Sequence, residues 1–240
     1  MKPYKYLAGL AMATLTLSGC TNLDETVYDQ ISSNNYFNTK EDVIAMAFRS
    51  FEHGYWTIVP RFRIQELPGD QLIIPRRDGS WDDGGVWRQF HYHTWTPDIA
   101  RHVHDEWDSC FAGIGQCNFA IDRFSELGPA KFGFSEEEFN SLRTQNRVLR
   151  CWYYIRLLDA FRNVPFSVSY DDPSKNSMAQ VPPEFIFNFV ETELKESIPL
   201  LYKKESLGSG SQYANLWTQG GAAASCSSFS FVSGEYFIRF

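Results

Sequence analysis

The chain has 240 residues, of which 43% are hydrophobic and 16% aromatic, and its formal net charge is −7. This length and apolar content are enough for one large domain or two small ones. The acidic balance argues against nucleic acid as a partner and against electrostatic adhesion to anionic lipid. Loss of residues 1–19 would remove Lys2 and Lys5, reducing the 22 basic residues to 20 against 29 acidic ones and the net charge to −9.

The N-terminus has the pattern of a secretory signal. Lys2 and Lys5 precede a mostly apolar run at 7–17, which has the length of a signal core and is too short to span a bilayer. The run closes at Leu17-Ser18-Gly19-Cys20, which resembles the lipobox of bacterial lipoproteins. This resemblance implies acylation of Cys20, and two or three acyl chains hold a protein stably on a membrane. The alternative is ordinary signal cleavage that leaves Cys20 unmodified.

Residues 20–38 are polar and irregular, so we assign 1–19 to the signal peptide and 20–38 to a lipidated tether. Thr39 and Asp42 then have the spacing of a capping box, and apolar residues recur at helical spacing to about residue 58. Beyond Cys20, no stretch approaches the roughly 18 consecutive apolar residues of a membrane span.

Two further helices have clear limits in the sequence. Apolar side chains recur at helical spacing over 107–124, and Gly128-Pro129 ends the pattern. Ser135 and Glu138 form a second predicted capping box, at the start of a helix that runs to about Phe161. Because the second half of this helix is apolar nearly all round, we expect it to be buried among several neighbours.

A fourth helix is predicted to begin at Pro182-Pro183-Glu184, because proline suits the first helical position. Over 59–104 the periodicity disappears, and four prolines with glycine- and aspartate-rich turns predict a long irregular loop. No apolar–polar alternation is long enough to build a sheet. The predicted fold class is therefore mainly α, with antiparallel helix pairs.

The cysteines do not predict a disulfide framework. Cys110 and Cys117 lie seven residues apart on one predicted helix, which separates their Cα atoms by about 10 Å and exceeds the reach of a disulfide. Both fall on the apolar face, where a thiol behaves as a small hydrophobic group. We expect no structural disulfide and no cysteine-based metal site, with Cys151 and Cys226 included.

The C-terminal residues differ from the rest of the chain. Residues 219–224 have the pattern of a helix start, whereas the serine-rich segment from Ser225 has neither helical spacing nor loop chemistry. Many leucine codons read one base out of phase encode serine or cysteine. We therefore expect 225–240 to be an out-of-frame tail on a truncated chain, which would leave apolar helix faces without their partners. The alternative is a genuine polar terminus.

Several segments, taken in order, resemble the SusD/RagB family of outer-membrane nutrient-uptake lipoproteins. They are the lipobox at Cys20 and the segments 41–47, 66–70, 107–118, 147–165, 185–201 and 219–224. The most specific is 147–165, which resembles an Arg-x-Leu-Arg-Ala helix ending in a Gly-x-Val-Pro turn, with Cys151 at the alanine and Arg162-Asn163 at the start of the turn. The resemblance covers about 17–224 and only the N-terminal part of a family of longer proteins.

This resemblance implies a tetratricopeptide-like helical scaffold at 39–224 with an irregular ligand-binding face. It also implies a place on the outer membrane, anchored through lipid and surface-exposed, and a TonB-dependent transporter as partner. Members of the family deliver glycans to that transporter, and some handle peptides instead.

The loop at 59–104 has the chemistry of a glycan-binding surface. Sugars stack their C–H faces on aromatic rings and pair their hydroxyls with charged and amide side chains, so both residue types are needed together. The candidate ligand-binding residues are Trp81, Trp87, Tyr92, Trp95, Arg76 and Asp78. The alternative is that Trp81 and Trp87 fix the loop to the helical body.

Other chemistries have weaker signals. The pairs His91/His93 and His102/His104 offer imidazole ligands for zinc but no third ligand at a fixed spacing, so solvated or hydrogen-bonded histidines are the better interpretation. The acidic residues at 105–108 offer carboxylates for glycoside hydrolysis, although an acidic first helical turn explains them more simply. Arg147 and Arg150 are predicted to pair with carboxylates or carbonyl groups.

The preferred hypothesis is a non-catalytic lipoprotein that binds oligosaccharide and requires no cofactor or metal. Two alternatives stay open from the sequence. One is an exported glycan-cleaving hydrolase, and the other is a non-functional truncated fragment.

Overall fold

The computed structural model describes residues 37–76, 83–172, 177–208, 211, 213 and 216–232. The predicted signal peptide, the lipid-attachment residue Cys20, and the candidate ligand residues Asp78 and Trp81 lie outside the described residues. Apart from Phe37, every described residue belongs to one compact unit, Asn38–Phe240.

Within the described residues, helices form nearly all of the regular structure. The α-helices are α1 (Lys40–Trp56), α2 (Ile58–Glu66), α3 (Val86–His91), α4 (Ala100–Glu126), α5 (Glu136–Phe161), α6 (Pro183–Ser197) and α7 (Gln219–Val232). Short 3-10 turns lie at Asp83–Gly85, Pro97–Ile99, Pro129–Phe132, Ile198–Leu200 and Lys204–Ser206. The strands β1 (Val164–Pro165) and β2 (Gln180–Val181) pair antiparallel, with Val164 opposite Val181. The predicted mainly α fold class is confirmed.

The predicted starts of α1 and α5 are confirmed by their caps. At α1, Thr39 Oγ1 accepts a hydrogen bond from the Asp42 N–H at 3.2 Å, and Asp42 Oδ2 accepts one from the Thr39 N–H at 2.9 Å. At α5, Ser135 Oγ accepts from the Glu138 N–H at 3.1 Å. Each cap satisfies an amide that has no acceptor within the helix. Pro183 occupies the start of α6, as its fixed φ angle favours.

The prediction of one irregular loop over 59–104 is wrong in part. Helix α2 continues after a single residue from α1, α3 lies within the predicted loop, and α4 begins at Ala100, seven residues before the expected Trp107. Pro60 falls in the first turn of α2, where its missing N–H costs no hydrogen bond, and Pro97 opens a turn into α4. Pro60 and Pro97, which we interpreted as breaks, therefore mark helix starts.

Side-chain contacts define the direction of the helices. Contacts between α4 and α5 include Glu106 with Arg156, Asn118 with Arg150, and Phe124 with Phe139. Because the α5 partner falls in number as the α4 residue rises, the two helices are antiparallel. Helices α5 and α6 are also antiparallel, since Arg147 contacts Glu193 and Tyr154 contacts Phe189. The predicted antiparallel helix pairs are confirmed.

Helix α5 lies in the middle of the main core, as its all-round apolar pattern predicts. Its Tyr153 is fully buried, and its hydroxyl donates to the Ser50 carbonyl oxygen at 3.0 Å. The ring lies directly against Gly113 of α4, where a Cβ atom would be 2.2 Å from Tyr153 Cζ. Only glycine allows this approach between α4 and α5.

Cys110 and Cys117 are free thiols in this core, in agreement with the prediction from their helical spacing. Burial raises the pKa of the Cys117 thiol to about 12, so the group stays protonated and packs as a small hydrophobic side chain.

The C-terminal helix begins at Gln219, where the sequence predicts a helix start. Its Ala222 is buried against the main core. The backbone stays helical past Ser225 to Val232, which the sequence pattern did not predict. An out-of-frame origin of 225–240 stays a prediction.

Across the described residues, we find no helix whose length and hydropathy would let it cross a bilayer.

Candidate ligand-binding face

Two aromatic side chains of the predicted site are exposed to solvent. Tyr92 follows α3 and has 62% of its surface accessible, and Trp95 has 55% accessible. The Tyr92 ring meets His91 edge to face at 5.0 Å, and the Trp95 ring lies 5.9 Å from Phe90. Both rings thus contact neighbouring rings while much of their surface stays exposed to solvent.

A small apolar cluster holds the segment that carries these rings. It consists of the buried residues Leu67, Val86, Trp87, Phe90 and Ile99. Phe90 is nearly inaccessible and lies five residues before Trp95. Because this cluster fixes both ends of the segment, Tyr92 and Trp95 have a defined position before any ligand binds.

Trp87 is a structural residue rather than a ligand-facing one. Only 3% of its surface is accessible, and it lies on the same face of α3 as Phe90. The Arg63 guanidinium carbon lies 4.7 Å from the centre of its ring, and the His102 ring lies at the same distance. The alternative that Trp87 fixes the segment to the helical body therefore describes its position, and we withdraw it from the ligand-binding set.

Two histidines of this segment connect it to the residues that follow α2. A ring nitrogen of His91 lies 3.0 Å from the Leu72 carbonyl oxygen, and Nε2 of His93 lies 2.9 Å from the Pro68 carbonyl oxygen. Since a carbonyl oxygen only accepts, each imidazole donates its N–H. His93 also adopts a φ of +54°, a strained backbone state that these contacts support. The sequence favoured hydrogen-bonded histidines over zinc ligands, and this is what these two side chains show.

Within the described ranges, His, Cys, Asp and Glu side chains nowhere group in threes with the geometry of a metal site.

Residues 71–76, which follow α2, also expose side chains that the sequence did not indicate. Leu72 and Ile73 are exposed, and the His91 contact brings Leu72 close to Tyr92. Arg76 is also exposed, four residues after Leu72 in the chain. We call the exposed residues Tyr92 and Trp95, with Leu72 beside them, the ligand face, and we count the exposed Ile73 and Arg76, which follow Leu72 in the chain, with it as candidates.

A second exposed aromatic pair lies at the end of α1. Tyr55 and Trp56 have 72% and 69% of their surface accessible, and their rings meet edge to face at 5.9 Å. Trp56 Nε1 donates to Glu52 Oε1 at 2.8 Å. The apolar periodicity that predicts α1 includes Tyr55 and so gives no sign of its exposure, although two adjacent aromatic residues at a helix end are a visible signal.

The interpretation of 105–108 as an acidic first helical turn is wrong, because α4 begins at Ala100. Glu106 is completely buried, and its two carboxylate oxygens accept from Arg156 Nε at 2.9 Å and Nη2 at 2.6 Å. The same guanidinium donates to Thr57 Oγ1 and to the Thr57 carbonyl oxygen, both at 2.9 Å. Glu106 thus joins α4, α5 and the α1–α2 junction and does not face a cleft.

The prediction that Arg147 and Arg150 pair with carboxylates or carbonyl groups is confirmed. Arg147 Nε and Arg150 Nη2 donate to Glu193 Oε1 of α6 at 2.8 and 2.7 Å. Burial alone would raise the pKa of Glu193, but the Arg147 hydrogen bond and the charges of both arginines outweigh it and lower that pKa below its ordinary value. These groups hold α5 to α6 and are not free to bind an anion.

Comparison with known proteins identifies the fold. No protein-family model and no curated protein sequence matches the chain. Among solved structures, it is similar to a laminarin-binding SusD-like protein, with a TM-score of 0.65 and 18% identity over 83% of this chain and 41% of that one.

Two other solved structures agree. Surface glycan-binding protein A from Bacteroides uniformis has a TM-score of 0.64 and 18% identity over 82% of this chain and 43% of its own. A SusD homologue from Bacteroides thetaiotaomicron has a TM-score of 0.57 and 18% identity over 82% of this chain and 36% of its own. The chain therefore has the SusD-like fold, over about two fifths of the length of these proteins.

Proposed function

We propose that this chain belongs to the SusD/RagB family and is a lipid-anchored protein of the outer membrane. In this proposal it binds oligosaccharide without cleaving it and passes it to a partner TonB-dependent transporter. The observation that carries the proposal is the SusD-like fold with two exposed, braced aromatic rings, Tyr92 and Trp95. Solved structures of similar fold include proteins named for laminarin and glycan binding, which supports glycan as the ligand class.

The ligand face has the mixed chemistry that sugars require. The faces of Tyr92 and Trp95 suit the C–H surface of a pyranose ring, and the Arg76 guanidinium offers donors for hydroxyl groups. Asp78 and Trp81 adjoin Arg76 in sequence and stay in the proposed ligand set. Because the rings are held in place beforehand, binding costs little conformational entropy at these side chains.

Binding without catalysis agrees with the positions of the acidic residues. Glu106, the central candidate acid, has both oxygens bonded to Arg156 in the core and cannot meet a glycosidic bond. Retaining and inverting hydrolysis both need two accessible carboxyl groups that flank the bond.

Affinity electrophoresis tests the proposal. The full chain runs through gels that contain laminarin or other neutral polysaccharides, and we expect at least one to retard it. Trp95→Ala should weaken that retardation roughly fivefold, because stacking contributes on the order of 1 kcal/mol per ring.

Trp56→Ala is the matched control, because it removes a tryptophan that is even more exposed than Trp95 and lies outside the ligand face. Equal weakening in both variants, or no retardation by any polysaccharide, would refute the ligand face. New reducing ends released from a retarding polysaccharide would refute binding without catalysis.

The partner is tested on the native protein. Outer membranes solubilised in mild detergent should yield the full chain together with a TonB-dependent transporter. Recovery of the chain alone, under conditions that keep other transporter complexes intact, would contradict this part of the proposal.

A further inference from the structure

A cleft that is separate from the ligand face lies where three elements of the fold meet. It has a volume of about 410 Å³ and is lined from the start of α5, from the segment that follows α6, and from the first residue of α7. The side chains used below are Glu137, Asn140, Tyr202, Lys203 and Gln219. None of them belongs to the ligand face.

An aromatic wall of this cleft is fixed in place. The Tyr202 ring lies nearly parallel to the Tyr213 ring, at 15° and 6.5 Å between centres. The Tyr213 hydroxyl donates to Glu138 Oε1 at 2.6 Å, and Lys40 Nζ donates to Glu138 Oε2 at 2.8 Å. This chain of contacts positions Tyr213, and through it the ring of Tyr202.

The electrostatics at this wall agree with the contacts. Burial alone would raise the pKa of Glu138, but hydrogen bonds from Lys40 and Tyr213 outweigh it and lower that pKa. Burial, followed by the charges of Glu137 and Glu138, raises the pKa of Tyr202. The Tyr202 phenol is therefore neutral and remains available as a hydrogen-bond donor at neutral pH.

The backbone beside Tyr202 is also held. Gln219 Nε2 donates to the Leu201 carbonyl oxygen at 2.9 Å, and the Gln219 N–H donates to the Tyr202 carbonyl oxygen at 3.1 Å. Leu201 itself is buried in the main core. The cleft is thus a preformed feature of the fold at the α6–α7 connection.

Polar side chains line the rest of the cleft and have unused hydrogen-bonding capacity. Glu137, Asn140 and Lys203 are exposed, and among the described residues their side chains make no hydrogen bond. Asn140 and Lys203 supply donors, and Glu137 and Asn140 supply acceptors. One negative and one positive group leave the lining without net charge.

We infer that this cleft is a second saccharide-binding site, with the Tyr202 ring as stacking surface and Glu137, Asn140 and Lys203 as hydroxyl partners. This inference takes its ligand class from the proposed function but not its location. A preformed cleft of about 410 Å³ lies within the size range of small-molecule sites. A ring face beside solvated donors and acceptors suits a neutral, hydroxyl-rich ligand, which needs no buried charge partner.

Nuclear magnetic resonance on the isotope-labelled full chain tests the inference, because each site has its own amide signals. The probes are glucose, galactose, mannose, xylose and N-acetylglucosamine at millimolar concentrations. We expect at least one of them to shift the amide signals of 201–206. Tyr202→Ala should weaken that effect roughly tenfold, whereas Tyr202→Phe, which keeps the ring, should retain it.

The outcomes separate the two sites. Shifts at 201–206 without shifts at 92–95 would support the cleft and contradict the ligand face. Shifts confined to 92–95 would overturn the cleft and leave the proposed function standing, and shifts at neither would overturn both. If free leucine, a zwitterion, shifts 201–206 and no sugar does, the saccharide class is wrong. Unchanged shifts in a folded Tyr202→Ala variant would likewise overturn the stacking role.

Discussion

Replacement of Glu106 by glutamine removes a buried charge and leaves the shape of the side chain nearly unchanged. Glu106 has no accessible surface, and Arg156 is almost fully buried. Removal of one partner from a buried ion pair costs about 3–5 kcal/mol, because the other charge is left uncompensated. Arg156 keeps two hydrogen bonds to Thr57 at 2.9 Å, so we expect the lower end of that range, about 3 kcal/mol.

Urea unfolding followed by circular dichroism measures this free energy. Lys195 and Glu191 provide a matched control, because they form a 2.7 Å ion pair at the surface of α6. Glu191→Gln should cost less than about 0.5 kcal/mol.

Equal losses of unfolding free energy in Glu106→Gln and Glu191→Gln would refute the stabilising role of the buried Glu106–Arg156 pair. A Glu106→Leu, Arg156→Met double variant provides a further check. It should recover much of the loss, because no unpaired charge remains buried.

Three further predictions concern packing, pH and the membrane anchor. Gly113→Ala should destabilise the fold by more than about 2 kcal/mol in the same urea assay, because its Cβ would lie 2.2 Å from Tyr153 Cζ. Gly115→Ala is the control and should not destabilise the fold in this way, because its Cβ would meet no atom within 4 Å. The pKa of Glu193 is lowered in the folded state from 4.5, so its stabilisation should be complete above that pH and disappear as the pH falls below it. Glu193→Gln should therefore flatten the acid limb of a plot of unfolding free energy against pH, and an unchanged limb would contradict this. Labelled palmitate should mark the wild-type chain expressed in its bacterial host and not Cys20→Ala, and equal labelling of both would contradict lipidation at that residue.

Local sequence signals predicted the starts of α1, α5 and α6. The Thr39 and Ser135 caps and Pro183 satisfy or replace amides within a few residues of themselves, so nearby sequence alone fixes them. Proline over 59–104 was misleading for the same reason. A proline in the interior of a helix breaks it, whereas a proline in the first turn is compatible with a helix start. A short helix such as α2 has too few residues for apolar periodicity to distinguish these two cases.

The candidate site shows where local signals stop. Trp87 and Trp95 lie in one aromatic-rich segment, and nothing in the sequence separates them. The structure does so, because α3 turns Trp87 onto Leu67 and Phe90 and leaves Trp95 accessible.

The sequence by itself determined the mainly α fold class, the resemblance to the SusD-like proteins, the caps and the pairing of Arg147 and Arg150 with carboxylates or carbonyl groups. The fold class, the caps and the arginine pairing follow from periodicity and from charge on a buried helix, which are properties of a residue and its near neighbours, whereas the resemblance rests on the ordered set of similar segments. The tertiary structure alone decided that Glu106 pairs with Arg156, that Trp87 is buried, and that Tyr202 and Asn140 line one cleft. Each depends on contacts between residues far apart in the chain, and side-chain burial is set by what packs opposite rather than by what lies adjacent in sequence.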